Sequence, residues 1–256
     1  MESTIETRDS INPVRLFSLC ATLLLSSILH AQKGCDVEAK LLLSLTNEQA
    51  AVTALNLKSE TTGFVYFFDT NNLDLLSQGV IVRLRQGIGN DLTVKLRPSK
   101  GEKFSDSATE QETFKCEIDF IGDGAIPAYS ISRRYTGETV PQTGSDISRL
   151  FSAGQKRLFE ERKASIDWSR VERMVEIRAT VWKSKTWPQF NKLTLELWEW
   201  PDGRILEVST KSGSHAGPRT YAQLQELVNS KLLPLSHDQR SKTSTVLESI
   251  SHHPAR

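Results

Sequence analysis

The chain has 256 residues, of which 32 are Lys or Arg and 31 are Asp or Glu, so its formal net charge is +1. This length and composition suit one globular domain with a sizeable core. The near-neutral balance argues against a general nucleic-acid binder, because affinity for phosphate backbones usually comes with a clear excess of basic residues. We therefore expect no nucleic-acid partner.

The N-terminal segment has the features of a targeting sequence. Arg15 precedes an apolar run over residues 16–29, which is short for a membrane span but typical of the hydrophobic region of a signal peptide. Ala31 is a reasonable last residue before cleavage. We therefore expect residues 1–31 to be removed and the mature protein to be exported, periplasmic or secreted, without a stable membrane span. An uncleaved N-terminal membrane anchor is the alternative.

Two cysteines would remain after cleavage, Cys35 and Cys116, because Cys20 lies within the signal segment. In an exported protein such a pair could form one disulfide. A disulfide requires the two Cα atoms to lie close together, and the sequence does not show whether they do. The pairing therefore stays open at this point.

Eight segments are predicted to be β-strands, and in all of them except residues 64–70 apolar and polar residues alternate with a period of two. These segments are residues 36–41, 64–70, 80–85, 91–97, 114–120, 175–181, 193–200 and 205–211. Three amphipathic helices are predicted between or after them, beginning near Thr46, Ile147 and Thr220. The connection over residues 122–145 is long and contains Gly and Pro, so we expect either a functional lid or a disordered loop.

Two neighbouring strands, residues 80–85 and 91–97, carry a strongly cationic face. Strict alternation places four basic side chains on one side, which are those of Arg83, Arg85, Lys95 and Arg97. Such a cluster repels itself unless an anion lies among it, and bidentate Arg is well matched to phosphate oxygens. The alternative is a solvated outer face of a sheet.

Eight antiparallel strands can close into a barrel whose interior holds one small ligand. The helices need the apolar strand faces and cannot lie inside a closed barrel, so the polar faces should point inward. We therefore predict an α+β fold, an eight-stranded antiparallel β-barrel or tunnel with amphipathic helices packed outside, over residues 35–245. Residues 246–256 are predicted to form a disordered tail. Trp198 and Trp200 would lie near a tunnel mouth, where they could stack on a planar group or form a hydrophobic lip.

Several motifs follow one another in an order that is typical of one family. They are Asp36-Val37-Glu38-Ala39-Lys40, Phe67-Phe68-Asp69-Thr70, Val82-Arg83-Leu84-Arg85, Thr93-Val94-Lys95-Leu96-Arg97 and a closing strand and helix that end in Ser241-Lys242. In these motifs the chain resembles the CYTH-type triphosphate tunnel proteins, a group that includes adenylate cyclases of one bacterial class, thiamine triphosphatases and tripolyphosphatases. The resemblance covers approximately residues 35–242.

The resemblance implies a cationic tunnel that holds a triphosphate, with carboxylates that bind divalent cations, Mg²⁺ or Mn²⁺. The implied phosphate ligands are Lys40, Arg83, Arg85, Lys95, Arg97 and, on strand alternation alone, Arg178. The implied metal ligands are Asp36, Glu38, Glu207 and Glu196, and Glu38 and Lys40 would belong to the catalytic centre. The expected partner is a triphosphate-bearing small molecule or inorganic polyphosphate. The expected activity is metal-dependent hydrolysis of a phosphoric anhydride.

Two positions depart from the family pattern. Asp36 replaces a Glu and is one methylene shorter, and the closing strand has Ser209 where the family has the second Glu of a Glu-x-Glu motif. A neutral hydroxyl is a poorer ligand for a hard dication than a carboxylate is. The second hypothesis is therefore a non-catalytic module that binds a phosphate ligand and has a degenerate metal site.

Overall fold

The structure is a computed structural model that describes residues 34–44, 48–99 and 101–251. The predicted signal segment over residues 1–31 lies outside these described residues. Within the described ranges, no helix is both long enough and apolar enough to cross a membrane.

Nine β-strands form a closed barrel. The strands are β1 Asp36–Leu43, β2 Ser59–Asp69, β3 Val80–Gln86, β4 Asp91–Leu96, β5 Glu112–Ile121, β6 Gly124–Arg134, β7 Glu172–Ser184, β8 Leu193–Trp200 and β9 Gly203–Ser212. Their order around the barrel is β1-β5-β6-β4-β3-β2-β7-β8-β9, with β9 returning to β1. Every neighbouring pair is antiparallel except β1 and β5, which are parallel. The predicted α+β tunnel barrel is confirmed, with nine strands instead of eight and one parallel pair.

The additional strand is β6, which lies in the connection that was predicted to be a lid or a disordered loop. It bridges β5 and β4 along most of its length. Its pattern is weak because Pro127 interrupts it and because its inward residues, Ser130 and Ser132, are small and uncharged. Ile131, on the opposite face, is fully buried. Small inward side chains leave space in the barrel interior beside β4.

Six helices accompany the barrel: α1 Glu48–Ala54, α2 Asp74–Ser77, α3 Gly144–Arg149, α4 Ala153–Arg162, α5 Gly217–Ser230 and α6 Lys242–Ser251. α1 and α5 pack on the apolar outer faces of β1, β8 and β9, and α3 and α4 pack on those of β3, β4 and β6. A capping box starts α4, because the side chains of Ser152 and Gln155 each accept from the other's backbone N–H. The helices therefore lie outside the barrel wall, as predicted.

The exception is α6, which closes one end of the barrel. Val246 and Leu247 are buried in an apolar cluster with inward side chains of several strands, among them Phe67, Ile177 and Trp198. The prediction of a disordered tail from residue 246 is therefore wrong for residues 246–251. The pattern was missed because this helix is short and mostly polar, with few buried positions.

A disulfide joins Cys35 to Cys116, with the two Cα atoms 4.6 Å apart. Cys35 immediately precedes β1, and Cys116 lies within β5. The bond therefore fastens the single parallel strand pair of the barrel, and it answers the question that the sequence left open.

Candidate functional site

The barrel interior contains a cavity of 350 Å³ with mostly polar walls, which reaches Lys242 at the start of α6. Alternation along each strand turns every second side chain inward, so predicted bases from three strands meet here. Lys40, Arg83, Arg85 and Lys95 line this cavity, and Arg97 lines the deeper space that adjoins it. Five of the six predicted phosphate ligands are thus brought together inside the barrel.

Asp119, on β5, is the central counter-ion of these bases. Its carboxylate is 1% exposed and lies 3.0 Å from Lys40 Nζ, 3.1 Å from Lys95 Nζ and 2.6 Å from Arg97 Nη2. Burial opposes ionisation of Asp119, but Lys40, Lys95 and Arg97 outweigh it and hold its pKa well below the usual range. Asp119 therefore keeps three cations in place while leaving the wall with a net positive charge.

The guanidinium groups of Arg83 and Arg85 share a second carboxylate, that of Asp91. Arg85 donates to both oxygens of Asp91, whereas Arg83 Nη2 is 4.0 Å from the nearer one. Among the described residues, the buried Nε of Arg83 has no hydrogen-bond partner. Burial and the neighbouring Arg85 lower the pKa of Arg83 to about 10. A crowded, partly buried guanidinium with an unused donor favours the binding of an anion.

Lys40 and Glu38 form an ion pair of 3.1 Å on the inner face of β1. Burial is the largest single effect on both groups and opposes their ionisation, but the neighbouring charges together outweigh it. Lys40 and Lys211 lower the pKa of Glu38 to about 2, and Glu38 and Asp119 raise the pKa of Lys40. Lys95 behaves differently, because burial and then Arg97 lower its pKa to about 8. At neutral pH all three groups are therefore mainly charged.

An acidic cluster stands next to the cationic wall. Glu38, Glu117 and Asp119 can each offer one carboxylate oxygen such that the three atoms lie within 4.8 Å of one another. Oxygen donors of this kind suit a hard divalent cation, and the low pKa of Glu38 keeps it ionised. The donor set therefore fits a divalent metal. Glu117 and Asp119 lie in the predicted strand over residues 114–120 but were not predicted as ligands, because alternation alone does not show which acids converge.

The other two predicted metal ligands that face the interior, Glu196 and Glu207, line the same two spaces but are not part of the acidic cluster. Both are bonded to the ammonium group of Lys242, the first residue of α6, which is 3.0 Å from Glu207 Oε1. The same ammonium lies 4.3 Å from the centre of the Trp198 ring, a cation–π contact. Burial raises the pKa of Glu207, whereas Lys242 keeps that of Glu196 low despite burial. A cation of the chain therefore already neutralises this pair of carboxylates.

Comparison with known proteins identifies solved structures that have a similar fold. No protein-family model and no curated protein matches the sequence. The structure is similar to that of HpAC1 from Hippeastrum, an adenylyl cyclase candidate with a dominant triphosphatase activity, at 19% identity and a TM-score of 0.58 over 83% of this chain and 94% of that one. It is also similar to an adenylate cyclase candidate from Bacillus halodurans, at 13% identity and a TM-score of 0.54 over 84% of this chain and 98% of that one. The chain therefore shares the fold of these two proteins, which supports the resemblance of its motifs to the CYTH-type triphosphate tunnel proteins.

Two predicted site residues of this tunnel fold are not brought to the central cluster. Asp36 is exposed at the start of β1, two residues before Glu38, and is not part of the acidic cluster. Arg178 lies on the outer face of β7, opposite Phe64 of β2 and Glu199 of β8. The inward positions of β7 at this level are apolar, including Ile177 and Ala179, because they pack against the cluster around α6.

The two tryptophans that were predicted near a tunnel mouth also separate. Trp198 is 1% exposed and packs inside the barrel against Phe67, with ring centroids 5.7 Å apart. Trp200 lines a groove on the outer surface together with Phe64 and Arg178. Neither ring stands at the open end of the tunnel.

Proposed function

We propose that this protein binds a triphosphate or short inorganic polyphosphate in its tunnel and hydrolyses a terminal phosphoric anhydride bond with a divalent metal. The observation that carries the proposal is the convergence of Lys40, Arg83, Arg85, Lys95 and Arg97 around one cavity. The five inward bases have three carboxylates as ion-pair partners, Glu38, Asp91 and Asp119, so two positive charges remain that a polyanion would balance.

The chain's own residues account for binding and orientation. Arg83 and Arg85 offer forked donors to phosphate oxygens, and Lys40 and Lys95 supply point charges to the neighbouring phosphates. In hydrolysis the oxygen of water bonds to the terminal phosphorus and releases a proton to solvent, the bridging P–O bond breaks, and the leaving phosphate keeps the electron pair. Because its pKa is raised, Lys40 stays protonated and acts by stabilising the developing negative charge.

Glu38, Glu117 and Asp119 are the residues that would hold a divalent cation, Mg²⁺ or Mn²⁺. When bound, such an ion neutralises phosphate oxygens and lowers the pKa of a coordinated water. The three carboxylates also have structural partners, since Lys211 is bonded to Glu117 and lies 3.8 Å from Glu38. We expect metal and triphosphate to bind together. The three carboxylates are already paired with lysines and an arginine of the chain, so the phosphate oxygens of the ligand would supply the remaining donors to the metal.

The test is a panel of tripolyphosphate, thiamine triphosphate and nucleoside triphosphates, assayed with and without Mg²⁺ or Mn²⁺. We expect Arg83→Ala to weaken triphosphate binding, measured by calorimetry, by about 1.5–3 kcal/mol, the scale of a charge-assisted contact. Arg178→Ala is the matched control, because it removes the same group from the outer face and should leave affinity unchanged. Equal losses of affinity in the two variants would show that the ligand does not bind in the tunnel.

The second candidate is a module that binds the same ligand without hydrolysing it. The bonds from Lys242 to Glu196 and Glu207 favour it, as does Ser209, which lines the cavity where the family pattern has a carboxylate. Wild type that binds tripolyphosphate but shows no metal-dependent turnover would support this candidate. Turnover that is lost in Glu38→Gln would exclude it, because that change removes a ligand without changing side-chain size.

We also propose that the mature protein is exported. The disulfide Cys35–Cys116 is the feature that supports this, since such bonds persist in oxidising compartments. Mass spectrometry of the native protein should give the mass of a chain that begins near Gln32. An intact Met1 in a cytoplasmic fraction would contradict the proposal.

A further inference from the structure

The open end of the tunnel is surrounded by lysines that the proposed reaction does not use. Lys115, Lys183, Lys192 and Lys211 line the same cavity as the deeper bases and are all exposed. They come from the strands β5, β7 and β9 and from the residue before β8. The lysines therefore stand on several sides of the mouth instead of along one strand.

These lysines carry more charge than the local acids neutralise. Lys211 is bonded to Glu117, but within the described part of the chain Lys115, Lys183 and Lys192 form no ion pair. Burial lowers the pKa of Lys192, and Lys183 and Lys211 lower it further. Three unpaired ammonium groups held near one another at a cavity mouth are a favourable position for further anionic groups.

The lysines also lead away from the mouth in one direction. A second cavity of 380 Å³ has a mainly apolar wall, to which Lys58, Lys183, Lys185 and Lys192 contribute, so it shares two lysines with the tunnel cavity. A chain of anionic groups leaving the tunnel past Lys183 and Lys192 would reach Lys58 and Lys185. The side chains on this route are flexible point charges, which suit phosphate groups at variable positions.

The mouth offers little to the base of a nucleotide. Among the described residues that line the two cavities, the aromatic one is Trp198, which is deep in the barrel and 1% exposed. A nucleobase extending from the tunnel would therefore find no ring to stack on, although stacking is the usual source of base affinity. The surroundings of the mouth favour a ligand that remains anionic along its whole length.

From this geometry we propose that the lysines around the mouth form a second phosphate-binding subsite, through which the protein prefers linear inorganic polyphosphate longer than tripolyphosphate. This inference rests on the proposed function, because it assumes that the end of the chain lies in the tunnel. The deep bases hold the terminal phosphates, and Lys183, Lys192 and their neighbours hold the part that extends outside.

The experiment compares binding of tripolyphosphate and long-chain polyphosphate to wild type and to Lys183→Ala/Lys192→Ala by calorimetry. In wild type we expect the long chain to bind at least about tenfold more tightly per chain, as expected for two or more exposed charge contacts. The double variant should lose about tenfold in affinity for the long chain and less than about twofold for tripolyphosphate. The matched control is Lys103→Ala/Lys156→Ala, which removes two exposed lysines from the β4–β5 connection and α4 and should change neither affinity.

The outcomes separate this inference from the proposed function. If wild type binds neither ligand, the tunnel proposal fails and this inference fails with it. If tripolyphosphate binds but the long chain binds no more tightly, or if both double variants lose equal affinity, the second subsite alone is overturned. Equally tight binding of single-stranded DNA, lost in the same variant, would also overturn it by showing a general polyanion surface.

Discussion

Asp119→Asn tests whether one buried carboxylate organises the cationic wall. The substitution keeps the size of the side chain but leaves Lys40, Lys95 and Arg97 without their shared charge, at contacts that now measure 2.6–3.1 Å. Removing one partner of a buried ion pair costs about 3–5 kcal/mol. Part of this cost is relieved because Lys95, whose pKa of about 8 depends on Asp119, will lose its proton more easily. We therefore expect the free energy of unfolding to fall by about 3 kcal/mol near neutral pH.

The assay is urea unfolding followed by circular dichroism, with and without tripolyphosphate. A bound triphosphate replaces the missing charge, so it should stabilise the variant more than it stabilises wild type. Since the pKa of Asp119 is depressed in the folded protein, the stability that it contributes is present above about pH 4 and is lost as the pH falls towards the folded pKa. Asp202→Asn, at an exposed turn position, is the control. Equal stability of wild type and Asp119→Asn near neutral pH would refute this account.

Three further outcomes are expected. Replacing Cys35 and Cys116 by Ser should lower the unfolding free energy by about 4.5 kcal/mol in a denaturant titration, because the bond closes a loop with a sequence separation of 81; a loss below about 1 kcal/mol would contradict the loop-entropy account. Lys242→Met should lower the melting temperature by leaving Glu196 and Glu207 unpaired. Mg²⁺ or Mn²⁺ should raise the melting temperature of this variant more than that of wild type. Failure of both ions to do so would show that the two carboxylates do not bind a metal. Triphosphate affinity measured by calorimetry should fall about tenfold between about pH 7 and pH 9 as Lys95 loses its proton. Lys95→Arg should remove that fall. An unchanged pH dependence in the variant would count against Lys95 as a ligand.

Much of the fold could be predicted from the sequence because most strands have one polar and one apolar face. Each of the eight predicted segments lies in an observed strand or overlaps one. β6 was missed because Pro127 breaks its alternation and its inward positions are serines, which are also common in loops. The parallel pairing of β1 with β5 depends on contacts between distant segments, and alternation within a strand carries no information about such pairing.

The position of a site residue could be predicted where the charged side chains of its strand face inward. The prediction failed where the apolar side chains of the strand face inward instead. Arg83 and Lys95 lie in the open half of the barrel, where the rule that polar faces point inward holds. Arg178 lies beside the half that α6 fills, where the inward residues of β7 are apolar and the polar ones face solvent. Asp119 and Lys242 owe their roles to distances across the barrel, from strand to strand and from helix to strand.

The closure of the barrel has a consequence for the order in which the chain can assemble. β1 is the first strand, yet its two neighbours are β5 and β9, so it cannot complete its pairing until the last strand has been synthesised. Pairing between distant segments is slow, and a strand edge that stays open meanwhile is prone to intermolecular association. The bond between Cys35 and Cys116 can form once β5 is available, well before β9. The disulfide therefore holds β1 next to β5 while β9 is still missing and the incomplete barrel is an open sheet.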